Sequence, residues 1–550
     1  MGSISPRARA LVLCTKEAKA FRRIPLWRFS SSRGGCKVGT RFGCDGLGQL
    51  YEHGEGVPQS ITKAFELYGQ SCDRGDLAGC VDLARMFEDG TGVAQDLRKA
   101  AELHERACAL LSPDVPPSVV ACLRLAKAHN LGQGEPKDDT KAFNLLRRVC
   151  SIGYQAGCVQ LGTFYIRGLG VAQDLQKGVV LYAAACENSW AGGCAALGKS
   201  YVTGLGVPRD PVKAASFYQL ACDHDDAPSC AQLAILHDEG KYLPPDKPKA
   251  AALYAKACDG HDAVGCVNLA IMLEQGESMP ADPAKSVARL EQACELKHAQ
   301  GCYFLGMNYS QGRGVEKNSV RAAELYATAC AGGVADSCTN LGALTERGEV
   351  SASEPFGAIK LYQKGCKGGN ALGCSDLTKA RRSARPEATT ACNRGDQWAC
   401  NLLGAMYLLG DPPPKNLRRA FALFDTACKK GDAEGCSLLA SMYLLGQGVA
   451  VDPIEASKLY ERACNGGHSK SCGYLAVQYI EGSIGAKDAV RGAGLFRKAC
   501  TAGDASSCTQ LALLHHQGSG VAPDPALEVD LLKEGCDGGD RAACSYLSAN

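Results

Sequence analysis

A pair of cysteines returns along this chain with a dominant period of 36 residues, and no other feature constrains its fold as tightly. The pairs fall at Cys36 and Cys44, Cys72 and Cys80, Cys108 and Cys122, Cys150 and Cys158, Cys186 and Cys194, Cys222 and Cys230, Cys258 and Cys266, and Cys294 and Cys302. They continue at Cys330 and Cys338, Cys366 and Cys374, Cys392 and Cys400, Cys428 and Cys436, Cys464 and Cys472, Cys500 and Cys508, and Cys536 and Cys544. Fourteen of the fifteen pairs read C-x7-C, and Cys14 alone is left over. A fixed period of this length is the signature of stacked repeats. It also explains how 550 residues escape the size limit of a single hydrophobic core, because each unit packs only on its neighbours.

Other positions keep the same register. Leu follows each second cysteine by three residues in all fifteen units, from Leu47 to Leu547. The next residue is small, as at Gly162, Ala234 and Gly404. An aromatic residue comes three further on in most units (Tyr51, Phe87, Tyr165, Tyr309, Tyr443), followed by Gly (Gly90, Gly168, Gly446). Asp or Asn then precedes a second helical pattern, as at Asp96, Asp174, Asn318 and Asp452. Spacings of three and four place Leu and the aromatic on one helix face. Gly accepts the left-handed conformation that ends a helix, and Asp or Asn caps the next one. The unit is therefore expected to be an A helix, a Gly turn, a B helix and a short turn into the next A helix. The expected fold is an all-α solenoid of two-helix repeats. Helices this short are marginal alone in water, so they must stack.

Two places break the pattern. Residues 110–121 add a Pro-rich stretch between Cys108 and Cys122, and residues 375–391 are too short for a full unit and contain Pro386. The expected organisation is a leader over 1–35, a first solenoid over 36–374, a degenerate unit or bend over 375–391, and a second solenoid over 392–550. A deletion spanned by a longer helix is the alternative for 375–391.

The first cysteine of each pair falls at the end of a B helix and the second at the start of the next A helix. A tight hairpin brings such residues within disulfide reach. Zinc would need four ligands per site, and each pair supplies two. Free or redox-active thiols are the third reading. His129, His237 and His515 occupy the aromatic position and are expected to pack, whereas His224, His261 and His468 fall in turns and are expected to be solvated. The one S-x-x-K, Ser60 to Lys63, lies where other units place the B-helix cap, and no K-T-G or S-D-N accompanies it. Asn308-Tyr309-Ser310 fits a glycosylation sequon but lies within a predicted A helix. No residue is nominated as catalytic, cofactor-binding or metal-binding.

The stretches AGCVQLGTFYIRGLGVAQDLQKGVVLYAAAC (156–186) and EGCSLLASMYLLGQGVAVDPIEASKLYERAC (434–464) resemble the Sel1-like repeat, a relative of the tetratricopeptide repeat. The paired cysteines resemble those of its cysteine-rich Hcp-type subfamily, and the resemblance covers roughly residues 36–550. It implies an α/α superhelix with one disulfide per hairpin, joining the cysteines of each pair above. It also implies an adaptor or scaffold that binds protein or peptide on a concave face. Members of that subfamily are also described as penicillin-binding or β-lactamase proteins, so β-lactam binding or hydrolysis is the rival expectation, with disulfide exchange or assembly of other proteins a further one.

Of the 60 basic and 58 acidic residues, ten and one lie within 1–44, which leaves 50 against 57 in the remainder, a net of −7. A mildly acidic body argues against a dedicated nucleic-acid binder. The leader is Arg- and Ser-rich, the composition of a mitochondrial presequence, and it lacks the apolar centre of a secretory signal. No apolar run approaches the roughly 18 residues a membrane-crossing helix needs. The cysteines call for an oxidising compartment, periplasmic or secreted, with the mitochondrial intermembrane space as the alternative. Alkylation of the native protein before and after reduction tests this reading by intact mass. Thirty of the 31 thiols are expected to react only after reduction. Thiols free from the start would refute it.

Overall fold

The computed structural model describes residues 43–276, 280–351, 355–410 and 414–549. The leader over 1–35, Cys14 and Cys36 lie outside the described residues. Among the described residues there are 28 helices and no strand. They alternate as A and B helices, except that Ala371–Asn393 spans both positions of its unit, and neighbours in sequence pack together.

One repeat shows how the sequence builds the unit. The A helix Gln155–Arg167 ends at Gly168, whose φ of 66° is left-handed, as is the 63° of Gly170. The chain then turns back, and the Asp174 N–H donates to the Tyr165 carbonyl at 2.9 Å. The Asp174 carboxylate accepts from the Lys177 N–H at 2.9 Å and caps the B helix Leu175–Glu187. The same closure joins Asp96 to Phe87, Asp210 to Tyr201, Asn318 to Tyr309 and Asp452 to Tyr443. Each connection thus satisfies backbone groups that the helix ends leave open.

The structure places a disulfide at the B-to-A hairpin. Thirteen are described, from Cys72–Cys80 and the wider Cys108–Cys122 to Cys536–Cys544. Their Cα atoms lie 4.4 Å apart in Cys72–Cys80 and 4.9 Å apart in Cys330–Cys338. Cys44, Cys222 and Cys230 are also disulfide-bonded. The Pro-rich insertion is absorbed by a longer A helix, Pro116–Leu131, whose first positions are Pro116 and Pro117. Proline suits that place because the first helical N–H groups have no intrahelical partner. Residues 375–391 lie within one helix, Ala371–Asn393, which carries Pro386 and bears a disulfide cysteine near each end.

The chain divides into two compact units, residues 1–229 with 241–244, and residues 230–240 with 245–550. The first is cored by side chains such as Tyr68, Met86, Val119 and Val149. In the second, Phe424, Met442, Tyr460 and Leu475 share one cluster.

Within both units, A and B helices meet at the small residue after the Leu. A Cβ added at Gly162 would lie 2.8 Å from the Tyr182 ring and 3.0 Å from the Gly178 carbonyl oxygen. At Gly404 it would lie 2.5 Å from the Phe424 ring. The glycine is thus the socket for a buried B-helix aromatic. Replacing Gly162 by Leu is expected to destabilise the surrounding repeats by about 1–3 kcal/mol through overpacking. Urea unfolding followed by hydrogen exchange over residues 155–187 would measure it, and an unchanged protection pattern would contradict this packing account.

Candidate functional site

The cysteines occupy the hairpins and serve the architecture. One cluster of metal-ligand type, Cys500, Cys508 and Glu534, brings its ligand atoms within 4.8 Å, but the two sulfurs are bonded to each other. Ser60 caps the helix Ile61–Asp73 and accepts from the Lys63 N–H at 3.5 Å. The serine of the S-x-x-K thus stands at a helix cap. His129 and His515 are buried and His237 is half-buried, as packing residues. His468 departs from expectation. It stands at the N-cap of Ser469–Glu481, half-buried, with Nδ1 2.8 Å from Ser471 Oγ, and burial lowers its pKa. Asn308 is buried and donates to Glu274 at 2.6 Å, so the sequon offers no accessible amide.

The residues left to meet a partner are those the repeat does not prescribe. On an A helix, the positions two, five and nine after the second cysteine share one face, since seven residues make almost two turns. In the first unit this face is polar and charged. Arg85 bridges to Glu52 at 2.7 Å, and Tyr68 donates to the same carboxylate at 2.6 Å. His104 Nε2 lies 3.1 Å from Glu88, and Arg124 reaches that carboxylate at 3.3 Å. The hydrogen bond from His104, with the charges of His104 and Arg124, holds Glu88 below the usual carboxylate range. Sequence reasoning missed His104. It sits 36 residues after Tyr68, in the place where the B helix carries its buried ring, and that register was the available signal.

Next along the same unit is a groove of about 590 Å³ between the A helices Pro116–Leu131 and Gln155–Arg167. Arg124, Lys127 and Arg167 stand around it over an apolar floor that includes Leu123 and Phe164.

The second unit presents a different face. A groove of about 520 Å³ is lined by Lys360, Lys364, Lys367 and Trp398 among others, with Lys360 Nζ 4.9 Å from the centre of the Trp398 ring. Beyond it the face turns apolar: Leu409, Leu445 and Tyr474 are 62%, 64% and 51% exposed. Leu409 and Leu445 are the ninth residues after successive second cysteines, and Tyr474 is the second residue in the repeat that follows.

Cations of the B helices meet rings of the A helices. Lys177 Nζ lies 5.6 Å from the Tyr165 ring centre and 3.0 Å from Asp174. The pairs Lys63 with Tyr51, Lys99 with Phe87, and Arg491 with Tyr479 repeat the cation–ring contact.

Asp45, directly after Cys44, is buried. Burial, and then the charge of Asp82, push its carboxyl up to about 7. An acid whose folded pKa is raised contributes stability that is complete below the unfolded value of about 4. That contribution is lost as pH rises through the folded value of about 7. Protection from hydrogen exchange in the helix Gly43–His53 should therefore fall as pH rises toward neutrality, after correction for intrinsic exchange. Asp45→Asn should flatten the profile, and a wild-type profile already flat would refute the assignment.

The Sel1 repeat family matches residues 42–76, 77–110, 119–154, 155–189, 191–226, 227–262, 263–298, 299–334, 335–370, 399–432, 433–468, 469–504 and 505–540. Comparison with curated proteins finds no match. Among solved structures, the chain is similar to c5321, a protective antigen of uropathogenic Escherichia coli with an SLR fold. That likeness has 20% identity and a TM-score of 0.40, and covers 95% of this chain and 97% of that one. A Sel1 repeat protein from Oxalobacter formigenes matches at 23% identity and a TM-score of 0.39, over 45% of this chain and 99% of its own. Cysteine-rich protein B of Helicobacter pylori matches at 29% identity and a TM-score of 0.21, over 24% of this chain and 93% of its own.

Proposed function

The chain belongs to the Sel1 repeat family, whose members generally serve as protein-interaction scaffolds, and we propose that it holds protein or peptide partners on its A-helix face. One observation carries this reading. The repeat commits Leu, the small residue and the B-helix ring to packing, yet the second unit leaves Leu409, Leu445 and Tyr474 largely exposed at equivalent faces of consecutive A helices. Apolar side chains exposed in series, rather than singly, mark an interaction surface. Repeat stacks suit this use because they extend one face over many units.

The intrachain disulfides imply an oxidising, extracytoplasmic environment. Among the described residues no helix is long and apolar enough to cross a membrane. We assign the chain to a periplasmic or secreted setting, with the mitochondrial intermembrane space as the alternative that the basic leader favours.

The test is retention of partners by the immobilised, oxidised protein from an extract of its own compartment. The triple variant Leu409→Glu, Leu445→Glu and Tyr474→Glu should keep its helicity and disulfides, because all three side chains are exposed. It should lose most of what the wild type retains. Equal retention by both proteins, or none by either, would sink the proposal.

A further inference from the structure

The groove in the first unit carries a more specific message than exposure alone. Arg124, Lys127 and Arg167 stand around it, and none of the side chains lining it is an acid. Arg124 is tied to Glu88 at 3.3 Å. Among the described residues, Lys127 and Arg167 form no ion pair, and both are exposed. Lys127 adds to the positive field on Glu88 without reaching ion-pair distance, so neither Lys127 nor Arg167 is held by a direct carboxylate contact. The floor is apolar, with Leu123, Phe164 and Leu169. Gln160 and Thr163 add polar groups to the lining, although Thr163 is already hydrogen-bonded to the Tyr182 hydroxyl at 2.8 Å.

We propose that this groove binds a short acidic peptide segment, with carboxylates on Lys127 and Arg167 and an apolar side chain seated against Leu123 and Phe164. The occupant follows from charge complementarity. Two unpaired cations on opposite A helices match two acidic side chains flanking a Leu- or Phe-like residue. Fixed cations and a matching anion also steer the encounter, which raises specificity and association rate. A nucleic acid fits less well. Its phosphates would find the cations but leave the apolar floor open, and the chain beyond residue 44 carries a net −7 that repels a long polyanion. The inference rests on the reading of the A-helix face as the binding surface, and it names the chemistry of the partner at one place on it.

The experiment selects binders from a random peptide library on the immobilised, oxidised full chain, then measures the best of them by fluorescence anisotropy. The selected peptides should be enriched in Asp and Glu beside Leu or Phe. Their affinity should fall about tenfold or more in the double variant Lys127→Glu and Arg167→Glu, and should weaken as salt is raised. The milder Lys127→Gln and Arg167→Gln pair should lie between, and unchanged melting would show that both variants fold. Selected peptides without acidic enrichment would overturn the inference, as would binding unaffected by the charge reversal. So would displacement of the peptide by a single-stranded oligonucleotide at comparable concentration. Peptides released only by the Leu409→Glu, Leu445→Glu and Tyr474→Glu variant would remove this inference and leave the scaffold reading standing. No selection of any peptide would remove both.

Discussion

In repeat after repeat the A helix approaches its B helix where a glycine faces a large buried ring, and the rest of the architecture depends on that contact. Gly162 receives Tyr182, Gly198 receives Tyr218, Gly306 receives Tyr326 and Gly404 receives Phe424. The contact sets how closely the helices lie and so how the next repeat is presented. It also decides which residues remain outside. Once Leu, the small residue and the ring are turned inward, the second, fifth and ninth positions after the cysteine are left at least partly exposed, Leu402 excepted.

The disulfide acts at the other junction. Joining residues eight apart, it closes a loop that contributes about 2–3 kcal/mol per bridge in the chain-entropy account. Its influence is local, since it restrains one hairpin and leaves its neighbours to their own contacts. The Gly turn at the opposite end of the repeat has no such covalent restraint. Left-handed glycine and an Asp or Asn cap, itself often paired with a Lys of the B helix, hold it instead. The two ends of the unit are thus secured by different chemistry: one covalent and redox-dependent, the other polar and dependent on pH and salt.

Freed from packing, the outward face varies without cost to the fold. In the first unit it carries charge: Arg85 paired with Glu52, Arg124 paired with Glu88, then Lys127 and Arg167 without an ion pair. In the second it runs from the lysines near Trp398 to Leu409, Leu445 and Tyr474. One repeating frame therefore offers surfaces of opposite character, which is the property a scaffold uses to discriminate among partners.

The amino-acid sequence by itself determined the repeat, its helix ends and its hairpin cysteines. Each of these is a short-range matter: an Asp cap reaches three residues, and C-x7-C spans one turn. Ser60 could be read as a cap on the same ground. Tertiary structure alone decided the rest. Asp45 titrates near 7 because burial and Asp82, 37 residues away, act on it together. His104 finds Glu88 across a hairpin, and His468, read as solvated, is half-buried by its neighbours. The groove with Lys127 and Arg167 forms because stacking brings residues 40 apart to face one cavity from neighbouring A helices. Local signals report what a residue does for its own turn. Desolvation and charge pairing depend on which distant residues arrive beside it, and only the packed chain supplies those.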